Sequence, residues 1–167
     1  SPWSKEKTLF DLYKRAQTPY EWHKRLFSFA KENNITIFSS PFDNQSLQLL
    51  MDLQAPAYKI ASPEITDVNL ISKVAQTNKP VFLSTGLADL KDIELAVKTL
   101  VSNNCRQFSL LKCTSSYPAQ INESNILTIP DMKKKFRCNI GLSDHTPGVG
   151  AAIAAVANGA TVIEKHF

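Results

Sequence analysis

The sequence predicts an α/β fold, a partial TIM (β/α)8 barrel with about six of the eight strands present. Three observations carry that expectation. Short β-branched or apolar runs alternate with longer helical patterns, the rhythm of a parallel sheet built from β/α units. No glycine-rich GxGxxG turn follows those runs, which argues against a dinucleotide-binding sheet. The runs also close on polar residues, as strands do where the loops of a barrel gather at one face.

The elements follow in chain order. A helical stretch covers 9–16. Thr18 is then placed to cap a second helix, with Pro19 at its first position and Glu21 completing a capping box. Trp22, Leu26, Phe29 and Ala30 share one face of it by helical spacing. Strands are expected at 36–39, 58–61, 81–84, 108–113, 139–142 and 161–165. Between them lie helices near 45–52, 69–76, 90–102, 126–135 and 148–158, the third capped by Asp89. The small residues of 151–157 let the last helix lie close to the sheet.

Composition narrows the class. With 167 residues, 43% of them hydrophobic and 20% charged, the chain can bury a core and reads as one soluble domain. No run reaches the roughly 20 apolar residues that span a bilayer. The start Ser1-Pro2-Trp3-Ser4-Lys5 has no apolar signal region, so no membrane partner and a cytoplasmic location are expected. Cys105, Cys113 and Cys138 form neither a CxxC pair nor a zinc set and read as reduced thiols. The net charge of +4 is mild and its densest run, Lys133-Lys134-Lys135, reads as a solvated face; no nucleic-acid partner is expected. A closed barrel takes about 250 residues, so the chain is expected to lack about two strands, at its front.

The polar strand ends are the places to look for chemistry. Lys59 and Lys112 lie within strands, where an ammonium is costly unless it meets an anion or a structural ion-pair partner. Ser40, Ser62, Ser84 and Ser143 follow or end successive strands, where hydroxyls and backbone N–H groups could surround a phosphate, although a lone serine there is a turn former. His145 and His166 end adjacent strands, which brings their rings together at the barrel mouth. Two imidazoles with an oxygen ligand suit a divalent ion that keeps open positions, whereas either alone reads as a core histidine.

Six segments in order, Phe38-Ser39-Ser40-Pro41-Phe42-Asp43, Tyr58-Lys59-Ile60-Ala61-Ser62, Leu83-Ser84-Thr85-Gly86, Cys113-Thr114-Ser115-Ser116-Tyr117-Pro118, Gly141-Leu142-Ser143-Asp144-His145-Thr146 and Glu164-Lys165-His166-Phe167, resemble the sialic acid synthase family over essentially the whole chain. The resemblance implies a β/α barrel followed by an antifreeze-like domain, in a domain-swapped homodimer. Residues 1–167 would be part of the catalytic barrel, without its first two strands or the antifreeze-like domain. It implies that His145 and His166 hold a divalent metal, usually Mn2+, with Mg2+ or Co2+ as alternatives. Ser40, Lys59, Ser62, Ser84, Ser115 and Ser143 would surround phosphoenolpyruvate, and Glu64 and Tyr117 would address an amino-sugar aldehyde. The missing strands carry a catalytic glutamate and a phosphate-binding lysine in this family, so the isolated chain is expected to lack full activity.

Within the family, Leu111-Lys112-Cys113-Thr114-Ser115-Ser116-Tyr117-Pro118 looks most like the pseudaminic acid branch, as neuraminate synthases more often carry histidine where Lys112 stands. Thr8-Leu9-Phe10-Asp11-Leu12-Tyr13 points the same way. The expected sugar is then 2,4-diacetamido-2,4,6-trideoxy-L-altrose, with an N-acetylneuraminate or legionaminic acid synthase as the alternative. A metal-dependent barrel aldolase or hydrolase would use the two histidines without the serine set, and a noncatalytic barrel fragment would use neither.

Overall fold

The computed structural model describes residues 8–166, in two compact units that meet in sequence between Ile37 and Phe38. The first unit holds two helices. Helix α1 (Leu9–Ala16) starts where the Thr8 hydroxyl accepts the Asp11 N–H at 3.1 Å. Helix α2 (Tyr20–Glu32) starts later than Thr18 and Pro19 predict. Pro19 itself is the cap residue, in an extended conformation and without a side-chain cap bond, which leaves Thr18 one residue too early to cap. The stripe read on this helix divides: Ala30 is buried, while Trp22, Leu26 and Phe29 are exposed.

The second unit begins with α3 (Asn44–Asp52), whose Asp43 and Ser46 form a reciprocal capping box. Then follow β1 (Tyr58–Ile60), α4 (Val68–Gln76), β2 (Val81–Ser84), α5 (Leu90–Ser102), β3 (Phe108–Cys113), α6 (Thr128–Phe136), β4 (Asn139–Asp144), α7 (Gly150–Ala157) and β5 (Val162–Lys165). Each strand pairs in parallel with the next, in the order β1-β2-β3-β4-β5. An unbroken sequential order, with a helix between strands, is the wall of a β/α barrel; a doubly wound sheet would reverse its order at a switch point.

Six strands were expected; five form among the described residues. The segment at 36–39 is reduced to a single bridge, Ser39 to Tyr58, in which the Lys59 N–H reaches the Ser39 carbonyl at 3.2 Å. Pro41, two residues on, has no N–H to extend the ladder. Two short 3-10 turns, Ser62–Thr66 and Ile121–Glu123, lie in the loops after β1 and β3 and have no sequence-level expectation. No described helix is long and apolar enough to cross a membrane.

Alternation along the strands sorts the side chains into two faces. Leu83, Leu110 and Ile140 are fully buried on the face covered by helices, together with Ile71, Val74 and Ala96. The opposite face carries the chemistry. Its rows are set by register: Ser84, Leu111, Gly141 and Val162 are successive neighbours, and one step nearer the carboxyl ends so are Cys113, Ser143 and Glu164. Gly141 is required in its row, because a Cβ there would meet the Val162 carbonyl and lie 2.7 Å from Leu111 Cδ2.

Candidate active site

The carboxyl ends of the strands open on a cavity of about 440 Å³, within the usual size of a small-molecule site. Strand β1 ends into its wall with Lys59, and the 3-10 turn that follows adds Ser62. Ser84 ends β2, and Ser143 comes from β4. Ser40, Ser115 and Tyr117 enter from loops, and His145 and His166 stand one residue beyond β4 and β5. Two of the residues singled out in the sequence do not line the cavity, Lys112 and Glu64, and Glu64 lies inside the 3-10 turn. Its Oε2 is buried without a hydrogen-bond partner, and burial raises its pKa.

Lys59 is 8% exposed and donates to Ser84 Oγ at 2.8 Å. Its Nζ also lies 3.5 Å from Glu164 Oε2, a carboxylate that partly opposes the effect of burial. Burial prevails, and the ammonium titrates below the usual lysine range. Because Ser84 accepts from the lysine, its own proton is available to an anion. The Ser62 oxygen likewise accepts the Gly86 N–H at 3.0 Å and keeps its proton free. One end of the cavity is thus a desolvated cation with hydroxyl donors beside it.

The other end is a cluster of rings. His145 and His166 meet edge to face with centroids 4.5 Å apart, and Tyr117 covers both, 4.0 Å from His145 and 5.4 Å from His166. His145 is 8% exposed and burial lowers its pKa, which favours the neutral ring. Its Nδ1–H donates to the Thr114 carbonyl at 2.8 Å, since a carbonyl can only accept, and so the Nε2 lone pair is left for the cavity.

Sequence reasoning missed the third member of this cluster. Glu164 precedes His166 by two residues, so the strand period puts both on one face. Ligand atoms of His145, Glu164 and His166 all lie within 4.8 Å of one another. That is close to the ~4 Å span that metal bonds of ~2.1 Å allow. Two imidazoles and a carboxylate with an open side fit a divalent cation. Asp144 and Lys165 were also passed over. They are register neighbours on the helix-covered face and form an ion pair at 2.8 Å beneath the site.

Lys112 stands apart from all of these. Adjacent Cys113 lines the cavity, so alternation turns Lys112 to the other face, where it borders a separate cleft with Glu123, Asn125 and Thr128. It makes no contribution to the cavity wall.

The chain is similar to known proteins in sequence and in fold. The NeuB family profile matches residues 1–167. A pseudaminic acid synthase of Helicobacter pylori is 46% identical over 165 residues, 99% of this chain and 48% of that protein. An N,N'-diacetyllegionaminic acid synthase of Campylobacter jejuni is 40% identical over 97% of this chain and 49% of its own length. Among solved structures, the N-acetylneuraminic acid synthetase of Leptospira borgpetersenii, in complex with citrate, superposes with a TM-score of 0.91 at 34% identity, over 99% of this chain and 58% of that one. The chain spans about half the length of the curated relatives it matches.

Proposed function

The chain belongs to the NeuB family, and from that premise we propose that it forms the substrate-binding part of an enzyme that joins phosphoenolpyruvate to an amino-sugar aldehyde. The observation that supports this most is the polarity of one cavity: Lys59 with the Ser62 and Ser84 hydroxyls at one end, His145, Glu164 and His166 at the other. The first end suits a phosphorylated carboxylate. The second would hold a divalent cation, Mn2+ foremost, which supplies Lewis acidity to the aldehyde oxygen.

The carbon chemistry balances without a redox partner. C3 of phosphoenolpyruvate bonds to the aldehyde carbon, whose oxygen takes up a proton. Water adds at C2, and the C2–O bond to phosphate breaks to leave a 2-keto acid and inorganic phosphate. In that sequence Lys59 and the hydroxyls of Ser40, Ser62 and Ser84 hold the anionic substrate and stabilise charge on the departing phosphate, while Ser143, whose proton goes to Glu164, borders the same substrate from the cavity wall. Ser115 lines the same wall, and Tyr117 covers the imidazoles from the side where a sugar would enter.

The sugar is proposed to be the pseudaminic acid precursor, supported by the 46% identity to the Helicobacter pylori enzyme. The 40% identical legionaminic relative keeps the second sugar in the test. Lys112 does not carry the discrimination, because it lies outside the cavity. The experiment is a comparison of kcat/KM for the full-length protein that carries this chain, with 2,4-diacetamido-2,4,6-trideoxy-L-altrose, the legionaminic precursor and N-acetylmannosamine. The first is expected to win by about 10²-fold or more. A preference for either other sugar reassigns the branch, and no phosphate release with any of them overturns the synthase reading.

A further inference from the structure

Lys112 is 7% exposed, and among the described residues no carboxylate stands within ion-pair distance of it. Its Nζ donates to Thr114 Oγ1 at 2.6 Å, and that hydroxyl donates in turn to the Glu123 carbonyl at 3.2 Å. An ammonium buried for one neutral acceptor is a costly choice on a face where leucine or isoleucine would pack. The expense falls at a particular place: Thr114 is the residue whose own carbonyl receives the Nδ1–H of His145.

The rest of that loop is wrapped on the same histidine. The Ala119 N–H reaches the His145 carbonyl at 2.9 Å, and the Tyr117 ring lies 4.0 Å from the imidazole. Lys112 and Glu123 therefore pin the first turn of a loop whose middle and end are pinned by His145 itself. Without the Lys112 donor, the Thr114 side chain keeps only its longer bond to Glu123, and its carbonyl, shared between the Ser116 N–H at 2.9 Å and the His145 Nδ1–H, loses the anchor that fixes its direction towards Nδ1.

We propose that Lys112 is a positioning residue for His145: by fixing Thr114 it holds the imidazole in the Nδ1–H tautomer, with the Nε2 lone pair directed into the cavity. A group that orients a ligand through an intervening residue acts as outer-shell partners do, and their loss typically weakens metal binding by 10- to 100-fold. The inference rests on the proposed role of His145 as a ligand, and it places Lys112 in the site's support instead of in sugar recognition.

The test uses the full-length protein as wild type, Lys112→Met, Lys112→Arg and Thr114→Val. In metal-free samples, side-chain ¹⁵N shifts report the His145 tautomer; Mn2+ titration and steady-state kinetics follow. Lys112→Met and Thr114→Val are each expected to shift His145 away from Nδ1–H and raise the Mn2+ Kd by about 10-fold or more. They should lower kcat while KM for phosphoenolpyruvate stays within about twofold, and Lys112→Arg should restore most of both. Unchanged ¹⁵N shifts and Mn2+ affinity in a folded variant overturn the proposal, and if Lys112→Met does not fold, Thr114→Val decides alone. A wild type that binds no Mn2+, with the tautomer shift still seen in Lys112→Met or Thr114→Val, would remove the metal reading and leave the Lys112 link standing.

Discussion

Ser143 Oγ donates to Glu164 Oε1 at 2.6 Å, and the two residues are direct neighbours in the register of β4 and β5. The other oxygen of the same carboxylate faces Lys59 Nζ at 3.5 Å. One side chain thus joins the cationic end of the cavity to the imidazole end, and its charge serves both.

Glu164→Gln keeps the shape and removes that charge. Lys59 then loses its anionic neighbour, and the cation site loses its negative ligand. Mn2+ affinity is expected to fall at least about tenfold, and kcat/KM with it, while the melting temperature moves by a few degrees only, since Glu164 is half-buried. Isothermal titration with Mn2+ alongside a thermal melt checks this; retained affinity would assign Glu164 to the lysine alone.

His145→Ala in the full-length protein is expected to lower turnover by orders of magnitude without unfolding it. The ring stands beyond the end of β4, outside the apolar layer that Leu110, Ile140 and Leu142 build. The prediction is read from activity across a Mn2+ series together with circular dichroism, and turnover equal to wild type with added Mn2+ would remove His145 from the ligand set.

The barrel rhythm was legible because each strand is a short apolar run ended by a polar residue. Asp89 and the 90–102 helix are where the sequence puts them for the same local reason, a side-chain cap. What escaped sequence reading was set by neighbours in space. Segment 36–39 has strand composition but makes one bridge, since strand propensity needs partners to express it. Lys112 read as a site residue because a lysine in a strand is conspicuous, yet its side follows from the phase of alternation fixed by Cys113. Glu164 was hidden by the opposite prejudice, a common acidic residue two positions from a conspicuous histidine. Lys59, Ser84 and Ser143 line one cavity because residues near the ends of successive strands converge, and Ser40 and Ser62 reach it from the loop and the 3-10 turn that follow such positions.

Gly141→Ala tests the row in which Gly141 lies between Leu111 and Val162. The added methyl would contact the Val162 backbone carbonyl and sit 2.8 Å from Val162 Cβ, so β4 and β5 must separate. A loss of about 1 to 3 kcal/mol is expected, measured by urea unfolding. Because Ser143 follows on the same face, the variant should also lengthen the Ser143 to Glu164 contact and weaken Mn2+ binding. Wild-type stability would mean that the two strands yield without cost.

The Asp144–Lys165 pair predicts a pH dependence of stability. Burial alone would raise the Asp144 pKa, but the Lys165 ammonium and the N–H and hydroxyl of Thr146 outweigh it and hold the carboxyl below its ordinary value of 3.8. A depressed carboxyl pKa in the folded state means that the unfolded chain binds the proton first on acidification. The stabilisation is therefore fully present above the unfolded value near 3.8 and is lost as pH falls through the lower folded value. Asp144→Asn keeps acceptors for Thr146 and removes the charge; at pH 7 it is expected to cost about 1 to 2 kcal/mol, less than a fully buried pair because Lys165 is partly exposed. Urea unfolding of wild type and variant from pH 7 to pH 3 should show the gap closing as the carboxyl protonates, with the wild-type curve falling more steeply. A gap that stays constant across that range would show that Asp144 contributes through its hydrogen bonds and not through its charge.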